Sequence, residues 1–310
     1  FTASVAAVAE SPVLSTQTLT GSEDSHTSLE ISNSIINAVS NDLDGSEAIS
    51  QYVISGLTTD AGETFLIVDS SQNPVGTSDG SGGTTITKAQ FDAGIYLLPP
   101  DHFSGSVTLN VTAISKESGS LSTAETSGNF LVQISPVAEV TTVSVPASST
   151  SSPIQILEYT GSDDYTSTSL NSSVVAVDDS DETQTIYITL QNNGSELPKL
   201  YLSGSEVSAL SSSEISALNS QVSGQISSNT SVFQLSGIDD LENISFIPPN
   251  SSTGNYRVKV ISESSDTNTD LSETDTSVTA QSIFFDIIAV AKSPDVTFEG
   301  SSVSDGDSLT

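Results

Sequence analysis

A chain of 310 residues with 39 acidic and 6 basic side chains carries a formal net charge of −33. A field of that sign repels phosphate backbones and anionic lipid surfaces, so nucleic acid and membrane partners are excluded. Cys, Met and Trp are absent, which rules out disulfide scaffolds, thiolate chemistry and the usual Cys-containing zinc sites.

No apolar run approaches the roughly 20 residues of a membrane span, and the N-terminus lacks the layout of a signal peptide. The chain reads as a monomeric internal segment of a longer secreted protein. Apolar residues are 35% of the total, but they fall in short alternating runs, which points to folded β structure.

In chain order, alternation predicts strands over Val13–Leu19, Ser28–Ile31, Tyr52–Leu57, Phe65–Val68, Ile95–Leu98, Val107–Ile114 and Asn129–Ile134. Gly80-Ser-Gly-Gly83 lacks the Lys-Ser/Thr and helix of a phosphate-binding loop and reads as a hairpin connection. Seven short strands with turn-rich links and no βαβ spacing describe an immunoglobulin-like antiparallel sandwich.

The pattern then repeats. Val8-Ala-Glu-Ser-Pro12 returns as Val137-Ala-Glu139 and as Val290-Ala-Lys-Ser-Pro294; Leu19-Thr-Gly-Ser-Glu-Asp24 returns as Tyr159-Thr-Gly-Ser-Asp-Asp164; Tyr96-Leu-Leu-Pro-Pro100 returns as Ser245-Phe-Ile-Pro-Pro249. Recurrence at domain length predicts tandem domains: one sandwich over 1–137, a second over 138–291 with an insertion near 203–226, and the start of a third repeat or a tail over 292–310. Ser211-Ser-Ser-Glu214 has capping-box spacing, followed by Ile215, Leu218 and Val222 on one helical face, so a short helix is expected there, with a weaker counterpart at Thr87-Lys-Ala-Gln90.

Loops of a sandwich alternate between its poles. Glu23, Asp24 and Asp101 then share the C-terminal pole of the first repeat, while Asp42, Asp44 and Glu47 lie at its N-terminal pole with Glu10. End-to-end succession would bring the first group to the linker at Glu139 and to Asp178, Asp179, Asp181, Glu182 and Asp266 of the second repeat. Calcium takes six to eight oxygen ligands, and Asp-x-Asp spacing lets two carboxylates point inward from one loop. Without a cation, each like-charged pair a few ångströms apart costs ~1 kcal/mol or more even in water. The loop is not an EF-hand, because the residues that should follow it are absent.

Four stretches carry a family resemblance: Glu23-Asp24 after a strand, the Asp42–Glu47 loop, Leu98–Gly105, and the Pro136-Val-Ala-Glu139 linker. Together they resemble the cadherin-like or immunoglobulin-like tandem repeats of giant RTX adhesins of Gram-negative bacteria. That resemblance implies export to the bacterial cell surface and stacked, calcium-stiffened, non-catalytic repeats that extend adhesive modules. Neighbouring repeats of the same chain are then the partners, and a host or surface ligand is met by other modules. Repeat two departs from the pattern at Asp179-Ser-Asp-Glu182 and at Lys292. The alternative is a glycan- or peptide-binding module that uses the enlarged region 203–226.

Other features do not rise to a site. His26 and His102 lie among serines and acids, but no nucleophile elbow accompanies them. His102 reads as an exposed turn residue. Among so many acids a glycosidase pair is conceivable, yet no aromatic platform accompanies one.

Overall fold

The computed structural model describes residues 7–24, 28–42, 45–158, 167–191, 198–248 and 253–291. Asp44, His26, Tyr159–Asp164 and 292–310 lie outside them. The chain divides into two compact units: Phe1–Val140 with Val177–Thr183 and Ser264–Ser277, and the remainder.

In the first unit the strands are β1 (Val13–Thr16), β2 (Leu19–Ser22), β3 (Leu29–Ile31), β4 (Ile36–Val39), β5 (Glu47–Ser55), β6 (Leu66–Val68), β7 (Thr77–Ser78), β8 (Gly83–Thr87), β9 (Ile95–Leu98), β10 (Gly105–Glu117) and β11 (Thr123–Ser135). One sheet runs β2-β11-β10-β5-β8-β7 and a second runs β3-β9-β6, with β1 and β4 as a separate ribbon. All pairs are antiparallel except β2 on β11, which is parallel with Leu19 opposite Val132. This division, with the last two strands beside β5 and the other three apart, is the strand sorting of an immunoglobulin-like sandwich. Inward residues of both sheets, among them Ile31, Tyr52, Ile54, Leu97, Leu109, Val111 and Phe130, close the core.

The strand expected over Val13–Leu19 is broken at Gln17–Thr18, because its halves serve different partners: β1 pairs with β4 and β2 with β11. The Gly-rich run closes the β7–β8 hairpin, where Asp79 accepts the N–H groups of Ser81 and Gly83. Thr87 and Gln90 form a full capping box on α1 (Lys88–Ala93), whose Phe91 packs on Tyr52. β4 and β8 are structure that alternation alone does not reveal: β4 is four residues, Ile-Asn-Ala-Val, and β8 is mostly Gly and Thr.

The remaining strands are β12 (Val143–Ser144), β13 (Ile154–Leu157), β14 (Thr168–Ser169), β15 (Ser173–Val174), β16 (Thr183–Gln191), β17 (Lys199–Leu202), β18 (Ser205–Glu206), β19 (Thr230–Leu235), β20 (Ile244–Ile247), β21 (Gly254–Asn268) and β22 (Glu273–Ile288); they belong to the second unit except for Thr183 and the portions of β21 and β22 within 264–277. The orders β13-β22-β21-β16-β19 and β14-β20-β17-β18 repeat the same sorting, again with a parallel pair, β13 on β22.

Helices α2 (Ser212–Ala217) and α3 (Ser220–Ser223) follow the Ser211/Glu214 capping box. Their apolar residues Ile215, Leu218 and Val222, with Leu210 and Ile226, pack on Tyr187, Val232, Ile261 and Val278. The enlarged region therefore covers the outer face of its own sheet with a small second core. No helix among the described residues is long and apolar enough to cross a membrane.

Candidate metal centre

Glu23, Asp24, His102, the linker at Glu139, the 177–183 loop and Asp266 all belong to the first unit. Glu23 follows β2 directly, and parallel pairing with β11 carries it alongside the linker: its N–H reaches the Ser135 carbonyl and its Oε1 accepts the Val137 N–H at 2.6 Å. Two residues on, the Glu139 N–H is held by Glu182 Oε1 at 2.8 Å, the Glu139 carbonyl accepts the Ser264 hydroxyl, and its Oε2 accepts the Asp178 N–H at 3.0 Å. The linker is thus gripped through its backbone by side chains from three distant segments.

One carboxylate oxygen each from Glu23, Asp179 and Asp266 lies within 4.8 Å of the others, and all three residues are buried. Asp266 is wholly inaccessible, and neither of its oxygens has a hydrogen-bond partner. Glu23 Oε2 and Glu182 Oε2 are likewise buried and bare. An ionised carboxylate left so in protein costs several kcal/mol unless a proton or a cation compensates it.

In the bare cluster protons do this. Burial and the carboxyl of Asp266, close enough to share a proton, push Glu23 up to about 9 against the weaker opposing pull of the Val137 N–H. Burial and Asp181 raise Asp179 to about 7, and burial raises Glu182 as well. Glu139 is raised by the carboxylate of Asp178, then by burial.

These residues fit calcium on the chemistry of the donor set: Glu23, Glu182 and Asp266 offer buried hard oxygen atoms without hydrogen-bond partners and Asp179 adds a further buried carboxylate, with no sulfur and no nitrogen in the group. Calcium would supply there the positive charge that lets the carboxylates ionise together.

A second grouping abuts the first. Asp24, His102 and Glu139 each place a ligand atom within 4.8 Å of one another. His102, expected as an exposed turn residue, stands in the left-handed conformation (φ 56°), with Nδ1 buried 3.3 Å from Asp24 Oδ1 and Nε2 3.9 Å from Asp178 Oδ1. Desolvation works to lower its pKa, but Asp24, Asp178, Asp179 and Glu139 together raise it. Histidine is one of the residues that enter left-handed backbone most readily, so Asp-His after Pro-Pro was its only sequence signal. Asp101 and Asp181 are exposed and belong to neither grouping; Asp181 contributes the N–H that Asp179 accepts.

The N-terminal residues form a reduced copy. Glu47 Oε2 accepts the Glu10 N–H at 2.6 Å and the Ser115 hydroxyl donates to the Glu10 carbonyl, as Glu182 and Ser264 do at Glu139. Asp42 accepts the Glu47 N–H. Glu47 Oε1 is buried and bare, and Glu117, two residues beyond Ser115 as Asp266 is beyond Ser264, is buried. Sequence reasoning passes over Glu117, although it falls on the inward phase of β10 with Val111 and Ala113. The counterpart of Glu23 is also displaced from its expected place: Glu158 Oε1 accepts the Val290 N–H at 3.0 Å, five residues before the Asp163 that local similarity suggests.

No family model matches the sequence, and no curated protein matches it. Among solved structures, the chain is similar to a chaperone–tip adhesion subunit pre-assembly complex from archaic chaperone-usher Csu pili of Acinetobacter baumannii, with 10% identity, 87% of this chain and 100% of that one covered, and a TM-score of 0.31. A four-Ig-domain fragment of Dscam1 gives 10% identity, coverage of 91% and 52%, and 0.20. An endo-fucoidan hydrolase gives 14% identity, coverage of 87% and 35%, and 0.19. Likenesses this distant carry no functional argument; the fold rests on strand order and register.

Proposed function

We propose that Glu23, Asp179, Asp266 and Glu182, with Glu139 as the gripped linker residue, hold calcium, and that the ion ties the linker to the 177–183 loop and to the strand-turn-strand segment 264–277. The chain is then a non-catalytic extender of a secreted bacterial surface adhesin, of the RTX kind that its motifs resemble. Its partners are neighbouring repeats of the same chain.

The observation that carries this reading is Asp266, whose two oxygens are buried without partners beside two further buried carboxylates. The recurrence of the grip at Glu10 and of the Glu23 role at Glu158 supports it.

Calcium titration followed by thermal unfolding tests it. At a hundred times the dissociation constant, binding to the folded state stabilises by ~2.7 kcal/mol, or roughly 5–10 °C for a unit of this size. Asp266→Asn should abolish that gain while raising the melting temperature of the metal-stripped protein, because it removes a repelling charge. A wild-type curve unmoved by calcium, or a metal-stripped variant less stable than wild type, sinks the proposal.

A further inference from the structure

The chain has a single arginine, Arg257, on β21 of the second unit. In a protein with 39 acids, its guanidinium has no carboxylate within ion-pair distance among the described residues; Nη2 instead donates a hydrogen bond to the Ser227 hydroxyl at 2.9 Å. Lys259 lies two residues on, on the same strand face, and donates to the Gln225 carbonyl. Desolvation, and then the charge of Arg257, lower the Lys259 pKa. Two cations thus share one patch of an otherwise anionic molecule.

That patch borders a cavity of about 230 Å³ lined by Arg257, Gln191, Asn255, Phe284 and Pro153, with the buried Tyr256 behind them. Sites for drug-sized ligands run from roughly 300 Å³ upward, so this one suits a single ring. Its chemistry has three parts. A guanidinium matches the two oxygens of a carboxylate or sulfate. Two carboxamides can both donate to and accept from hydroxyl groups. The phenyl ring of Phe284 offers a flat apolar surface.

The first unit shows what a structural version of this place looks like. Counting from the shared latch serines, Ser115 and Ser264, the positive-φ residues Gly105 and Gly254 fall at equivalent positions. Arg257 then corresponds to Thr108. Register against the parallel strand (Leu19 opposite Val132, Ile154 opposite Phe285) matches Phe284 to Leu131, which faces Thr108 across β10 and β11. A Thr–Leu pair suffices to build the sheet there, so neither an arginine nor a phenyl ring is required by the fold.

We propose that this cavity binds an acidic sugar residue, a uronic acid or a sulfated monosaccharide, with Arg257 on the anionic group, Gln191 and Asn255 on the hydroxyls and Phe284 against the ring face. The site is separate from the carboxylate cluster and does not depend on calcium there.

NMR titration of the intact chain with glucuronate, with a sulfated galactose and with neutral glucose and galactose reads it directly. Saturable shifts at Gln191, Asn255 and Phe284 are expected with one or both acidic sugars, at least tenfold weaker with the neutral ones, and lost in Arg257→Gln with the remaining spectrum folded. The carboxylate and sulfate arms identify which anion is preferred. Ser227→Ala removes the hydrogen bond that Arg257 makes in its structural role and should leave sugar binding intact. No response to any sugar overturns the proposal, as does a response to glutamate equal to that for glucuronate, or Ser227→Ala abolishing binding as fully as Arg257→Gln.

Discussion

Glu23 holds Val137 through one carboxylate oxygen and leaves the other buried and bare. Glu158 holds Val290 in the same way, yet only Glu23 has Asp179 and Asp266 beside it among the described residues. Glutamine at either position retains a carbonyl oxygen for the backbone N–H, so the substitution removes charge and spares the bond.

Glu23→Gln should therefore weaken calcium binding about 10-fold or more, the scale of a lost charge-assisted contact, whereas Glu158→Gln should leave the calcium response of this chain unchanged. Isothermal titration of the two variants side by side checks this. Equal loss in both would mean that the effect comes from the linker bond.

Acidity gives a second expectation. Glu23 moves from an ordinary 4.5 to about 9 and Asp179 from 3.8 to about 7 in the metal-free fold. Their raised values mean that the folded state keeps protons which the unfolded chain has released. This contribution to stability is full below about pH 4 and is lost as pH rises through 7 to 9. Metal-stripped protein should thus melt progressively lower from pH 5 to pH 9, and calcium affinity should rise over the same interval as protons leave. Titration at pH 7 in buffers of different ionisation enthalpy should show proton release on calcium binding.

The fold was largely legible in the sequence because alternation in Val107–Ile114 and Asn129–Ile134 reports inward and outward faces directly, and because Ser211 and Glu214 announce a helix start. What escaped was β4, β8 and the break at Gln17, whose strand status depends on partners rather than on pattern. At the candidate metal centre and its N-terminal copy, acid-rich loops pointed to the region, but His102 and Glu117 were hidden. His102 depends on a left-handed turn, and Glu117 continues the inward phase of β10 beyond the last apolar residue of the run. Similarity around Tyr159–Asp164, which lie outside the described residues, does not single out Glu158; register with β22 brings that carboxylate to Val290.

The helical insertion gives a third expectation. Val222 is fully buried against Tyr187, Val232 and Ile261. Val222→Ala should cost the second unit roughly 1–3 kcal/mol, seen as a lower unfolding midpoint in denaturant, with the calcium response untouched. Removing 208–226 altogether would bare those three residues, and poor solubility of that deletion is the expected outcome, so point variants are the better probes of this region.

His102 gives a fourth. Its raised pKa arises from Asp24, Asp178, Asp179 and Glu139, so ions that neutralise those acids should lower it. An imidazole titration by NMR should report a lower midpoint in calcium than in metal-stripped protein. An unchanged midpoint would place the ion away from these four groups.

In each unit the first strand of the main sheet lies parallel to the last, β2 on β11 and β13 on β22. A pull applied to the two ends of such a unit draws those strands past each other along their lengths. Their ladder bonds are then loaded together and must rupture as a group rather than opening one after another. A tether made of units wired this way resists stretching through its hydrogen-bond geometry as well as through whatever ion it carries.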